Sequence, residues 1–158
     1  SEIQELEEAI SFQAWSPDFS INTTTTTLHH QAAYNRSIAT ILFELGWNLQ
    51  PRLSDSPRLI GDFSNGLIFG EIQFGNSATL YRDFYKFQYG FQNDLLSLAV
   101  LIVPHHEYKF FPTRPASVKN MANLTLALRY FTVLPISVPT IIYGLLADKE
   151  DIDEELGN

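Results

Sequence analysis

Apolar positions recur along the chain with two periods, and the switches between them mark its elements. Ile3, Leu6, Ile10 and Phe12, with acids between them, predict an amphipathic helix through about residue 14. Trp15-Ser16-Pro17 breaks it, and Asn22 followed by five threonines makes a polar connector of strand-like propensity to which no chemistry attaches. From His29 to Leu45, the positions Ala33, Ile38, Ile41, Leu42 and Leu45 give a second helix with one buried stripe, and Gly46 is placed to end it. Two apolar runs follow, Leu59 to Phe63 and Leu67 to Phe74, separated by Ser64-Asn65-Gly66. Asn-Gly between such runs signals a hairpin with a two-residue type I′ turn. Leu80, Phe84, Phe87 and Phe91 then follow the i, i+4, i+7, i+11 pattern of a buried helical face, with Asn76 or Ser77 as the cap and Arg82 and Lys86 on the opposite face. Leu96 to Pro104 and Val138 to Leu146 read as buried strands. Val118, Met121, Leu124, Thr125, Leu128 and Phe131 set a helix between them. Strand, helix, strand implies a parallel crossover, joined to the hairpin in a mixed sheet flanked by helices, an α/β fold.

Length and composition add bounds. With 158 residues and 45% hydrophobic content, the chain suits one domain with one ordinary core, followed from about residue 148 by an acidic, partly disordered tail. No apolar run approaches the roughly 18 residues of a membrane span, and the acidic first residues do not resemble a signal peptide, so a soluble cytoplasmic protein is expected. The absence of cysteine excludes disulfides and thiolate metal sites. A net charge of −8 argues at first against a nucleic-acid partner. The acids are concentrated at the ends, however. Residues 9 to 147 hold eight acids and nine bases, so the body is near neutral and slightly positive.

The hairpin carries the candidate chemistry. If Asn65-Gly66 is the turn, Asp62 pairs with Phe69, and Glu71 stands diagonally across from Asp62 on the same face, roughly 7–8 Å away. Gln73 continues that face. A three-residue loop would flip the register and separate the carboxylates unless a bulge compensated. Acids inside apolar strands are costly unless paired or bound to a metal, and hard oxygen donors suit Mg²⁺ or Mn²⁺ rather than zinc. The plain alternative is a pair of strand-end acids facing water. Glu44 lies by helical rotation at the edge of the second helix's apolar stripe, where it could reach a neighbouring strand or stay solvated. His105-His106-Glu107 reads as a loop, since adjacent histidines on a strand point in opposite directions. Lys109, Arg114 and Lys119 could line a phosphate-binding surface.

On these residues the chain resembles the PD-(D/E)xK nuclease superfamily, and within it the type II restriction endonucleases of the BglII, BamHI and BstYI type. Asp62 lies nine residues before Glu71 in EIQFGN, with Gln73 where lysine usually stands, and YRDFYKFQ is similar to the helix that follows the catalytic strands. The resemblance implies a restriction-endonuclease-like fold and Mg²⁺-dependent cleavage of double-stranded DNA, with Mn²⁺ able to substitute. It implies Asp62, Glu71 and the Ile72 carbonyl as metal ligands, Gln73 and Glu44 as further catalytic positions, and base contact by Asn76. Phosphate contact by Arg82 and Lys86 is expected from their place on the helix beyond, and a homodimer would match a palindromic target. A nuclease-fold binding or regulatory module without cleavage, or a non-specific repair or defence nuclease, are the alternatives.

Overall fold

A five-stranded mixed sheet separates two apolar cores, one on each face. The computed structural model describes residues 1–12, 19–107 and 120–146. Helix α1 (Glu2–Ser11) leads to a small hairpin, β1 (Ser20–Asn22) with β2 (Thr27–His29), and then to helix α2 (His30–Glu44). The threonine run therefore forms a hairpin tip, in which Thr23 N–H and Oγ1 both donate to the Thr26 carbonyl. β3 (Asn48–Leu49) follows, then a second small hairpin, β4 (Arg52–Asp55) with β5 (Arg58–Ile60). The central hairpin is β6 (Phe63–Asn65) with β7 (Ile68–Ile72), after which come α3 (Thr79–Gln92), β8 (Leu98–Pro104), α4 (Leu124–Val133) and β9 (Thr140–Leu145). In the main sheet the order is β3, β6, β7, β8, β9. The first three strands are antiparallel neighbours, while β7, β8 and β9 run parallel. Strand, helix, strand crossovers through α3 and α4 produce the parallel half, as the apolar runs predict.

Period two along the strands divides the cores. Phe63, Ile72, Val100 and Ile102 point to the face covered by α1 and α2, where they meet Leu6, Tyr34, Ile38, Leu42 and Trp47. Phe69, Leu101 and Val103 point to the other face, against Leu80, Phe84 and Phe87 of α3 and Ala127 of α4. A ridge of edge-to-face aromatic pairs runs through each side, Trp47 on Phe63 and Phe69 on Phe87, with ring centroids 5.6 and 6.2 Å apart.

Three details of the sequence reading change. The run Leu59 to Phe63 is not one strand, because it breaks at Gly61-Asp62: Leu59 and Ile60 pair with β4, and only Phe63 onward joins the main sheet. The hairpin turn is Gly66-Leu67, since Asn65 pairs with Ile68. Gly66 takes φ 55° and Leu67 keeps an ordinary φ, which fits a type II′ turn rather than I′. The last helix begins at Leu124 rather than near Val118, because the Asn123 side chain accepts the Leu126 N–H and caps it there. Val118 itself, with Trp15-Ser16-Pro17, Lys109, Arg114, Lys119 and the acidic tail, lies outside the described residues. Among the described residues no helix is long and apolar enough to cross a membrane.

Candidate active site

The ladder between β6 and β7 is regular from its tip to Phe63, which stands opposite Gly70. That pairing requires a glycine: a Cβ at residue 70 would lie 2.0 Å from the Phe63 ring. One residue further the ladder changes. Asp62 N–H also reaches Gly70, donating to its carbonyl at 3.0 Å, so two residues of one strand stand against one of the other, as in a β-bulge. The extra residue frees the Asp62 side chain from strand alternation. Its Oδ2 accepts the Ile72 N–H at 2.7 Å, taking a bond that a continuing strand would have made with its backbone. The sequence reading brought the two carboxylates together by a diagonal. Here the turn is displaced, and a bulge brings Asp62 to the Glu71 side instead.

Glu71 of β7 and Gln73, just past its end, point to the α3 face, and α3 meets them with two charged residues of its own. Lys86 is 5% exposed and donates from Nζ to Glu71 Oε1 at 2.7 Å, with Asp83 Oδ1 at 3.4 Å. Asp83 Oδ2 accepts from Gln73 Nε2 at 2.7 Å, and Gln73 Oε1 accepts the Gly75 N–H at 3.0 Å. A carboxylate can only accept and a backbone N–H only donate, so the orientation of the Gln73 amide follows from its partners. Glu71, Lys86, Asp83 and Gln73 thus form a continuous chain of contacts between strand and helix, and Asp62 interacts with Lys86, Asp83 and Glu71 at its edge.

The electrostatics follow from two carboxyls and one ammonium buried together, with the half-buried Asp62 carboxyl beside them. Burial pushes Glu71 up to about 9, the neighbouring Asp62 and Asp83 charges add to the rise, and Lys86 opposes it. Asp62 and Asp83 are also raised, in both cases first by burial. The Ile72 N–H and Lys86 counteract this at Asp62, and Gln73 and Lys86 do so at Asp83. The cluster has one ammonium for its three carboxyls.

Other expected site residues fall elsewhere. Glu44 is the last residue of α2 and is exposed, with no hydrogen bond or ion pair to the cluster among the described residues. The rotation that put it at the edge of the apolar stripe turns it to solvent, because Trp47, not Glu44, fills the space beside Phe63. Lys86 is not on an exposed phosphate-facing surface with Arg82. It lies one turn beyond Asp83, on the border of the apolar stripe that faces β7, whereas Arg82 is exposed. Gln73 is held by the protein at both ends of its amide. Asn76 is exposed just ahead of α3, where its Oδ1 accepts the Ala78 N–H at 2.9 Å and its carbonyl accepts the Thr79 N–H. It shapes the entry to the helix, but the cap position itself is Ala78. His105 and His106 lie in the loop after β8 with their rings edge to face, and Glu107 accepts from Asn123 Nδ2. Asp83 is the residue that sequence reasoning missed. An acid inside the stripe of Leu80, Phe84 and Phe87, three residues before a lysine, is the signal that could have found it.

A hairpin feeding a parallel crossover, with acids from its last turn of ladder facing the crossover helix, is the architecture of the restriction-endonuclease-like nucleases. The profile of the restriction endonuclease BglII/BglIII family matches residues 1–145, and the chain belongs to that family. It is a type II site-specific deoxyribonuclease. The crystal structure of the restriction endonuclease BglII complexed with a DNA 16-mer matches with a TM-score of 0.75, over 92% of this chain and 69% of that one, at 19% identity, a likeness of fold. No curated protein matches the chain.

Proposed function

We propose that this protein hydrolyses double-stranded DNA at a short palindromic site, as a homodimer that requires Mg²⁺, with Asp62 and Glu71 as the metal ligands. The observation that carries this is the approach of the two carboxyls across the bulged hairpin, beside a cluster with one ammonium for three carboxyls. Among the described residues no three or more acidic, histidine or cysteine side chains converge as a ready-made metal cage. A hard ion of the Mg²⁺ kind keeps several waters and takes one or two carboxylates, with substrate phosphate completing its shell. The Ile72 carbonyl is a further candidate oxygen.

When bound, the ion would polarise the scissile phosphate and acidify a water for in-line attack. The chain's own residues supply the framework. Asp62 is held by the Ile72 N–H and Glu71 by Lys86, so both carboxyls are presented with little freedom left to lose. Gln73 cannot take a proton, and both ends of its amide are engaged, so its part is to hold Asp83 rather than to orient the water. The proton leaves to a substrate phosphate or to bulk water. Arg82 and Asn76, exposed on and just before α3, are suited to contact the duplex.

Plasmid DNA incubated with Mg²⁺ should give discrete fragments, and neither EDTA-treated enzyme nor an Asp62→Ala variant should cut. Smearing would remove the sequence specificity from this reading, and no cleavage with any divalent ion would remove the enzyme.

A further inference from the structure

We propose that Lys86 is a positioning residue that sets the charge of the site to suit one divalent cation, with Asp83 as its counterweight. This rests on the reading of Asp62 and Glu71 as metal ligands. Once the carboxyls are ionised, as metal binding demands of its ligands, the buried Glu71 and Asp83 and the half-buried Asp62 at their edge stand against Lys86 alone, a sum of −2. A divalent ion neutralises that sum. Lys86 is built into this balance rather than placed beside it: it is as buried as Glu71, at 5% against 4% exposure, and touches one carboxylate from the strand and one from its own helix. Asp83, 2% exposed, divides its two oxygens between Lys86 and Gln73. The helix pair therefore makes one polar contact with each of the two strand residues, Lys86 with Glu71 and Asp83 with Gln73, and gives the site an orientation as well as a charge.

A lysine that merely props up Glu71 predicts weaker metal binding when it is removed. A lysine that sets the charge predicts the reverse. Mn²⁺ affinity measured by calorimetry at one fixed pH, with folding checked by circular dichroism, separates the two. Lys86→Met leaves a sum of −3 and should bind Mn²⁺ more tightly, by about tenfold. Asp83→Asn leaves −1 and should bind it more weakly by a similar factor. The double variant returns to −2 and should fall near the wild type. If Lys86→Met does not fold, because buried carboxylates have lost their partner, Asp83→Asn and the double variant still decide. Weaker or unchanged binding by a folded Lys86→Met overturns the proposal, as does a double variant that binds worse than Asp83→Asn. A wild-type protein that binds no Mn²⁺ overturns the metal-site reading itself and this proposal with it, a result distinct from wild-type binding without the charge pattern.

Discussion

The two faces of the main sheet are made by alternate residues of the same strand, and they serve opposite ends. Ile72 of β7 enters a wholly apolar core with Phe63, Trp47 and Ile102 under α1 and α2. Its neighbours Glu71 and Gln73 enter a layer in which α3 brings Asp83 and Lys86 beside Leu80, Phe84 and Phe87. Burying an apolar side chain stabilises by about 1.5–3 kcal/mol, whereas buried ion pairs do little better than break even against apolar replacements of the same shape. One face therefore holds the hairpin rigid, and that rigidity lets the other keep a cluster whose charges do not cancel.

This contrast can be broken from either side. The largest separation is expected from Glu71→Gln. Glutamine is an isostere of the protonated acid that the metal-free site holds at neutral pH but has no proton to release on unfolding, so the thermal unfolding midpoint at neutral pH should rise rather than fall while plasmid cleavage drops by about a thousandfold, about 4 kcal/mol of barrier. Phe63→Ala strikes the opposite face. It should cost about 3 kcal/mol or more in urea denaturation, with loss of cleavage only as far as folding is lost.

A gentler effect comes from pH. Because the folded-state pKa of Glu71 is raised from 4.5 to about 9, the native protein holds a proton there that the unfolded chain has released. The stability this contributes is fully present below about pH 4.5 and is lost as pH rises through about 9, the reverse of a carboxylate held ionised by a salt bridge. Denaturation midpoints of the metal-free protein should therefore fall between pH 6 and 9. In Glu71→Gln that slope should flatten, and equal slopes in the two proteins would show that Glu71 is not the group responsible.

How much of this was legible from the chain depended on which interactions were local. The helices and the two parallel strands announce themselves by periods carried over many residues, so α2, α3, β8 and β9 lie within a few residues of their sequence bounds. β3 and β4, at two and four residues, are too short for any period to show, and Leu59 and Ile60 look like part of the main hairpin until Gly61 is seen to break it. The meeting of Asp62 with Glu71 was foreseen on a turn one residue too early, and the bulge at Asp62 supplies what the counting did not. Lys86 was misplaced for a different reason. A helical wheel shows that it borders the apolar stripe, but which border faces β7 depends on how α3 crosses the sheet, and no local pattern encodes that. Glu44 had the same ambiguity, and in its case the border turned outward.

The bond from the Ile72 N–H to Asp62 Oδ2 gives the molecule a built-in reporter. Ile72 is a core residue, and its amide proton would ordinarily be protected by sheet geometry alone and be silent about chemistry. Here its acceptor is a carboxylate of the site. If Asp62 turns towards an ion or exchanges a proton, a single amide resonance in the middle of the sheet should shift and change its exchange rate, while the amides of β8 next to it stay as they were. Occupancy of the site can then be followed from inside the protein, with no DNA present and no bond being cut.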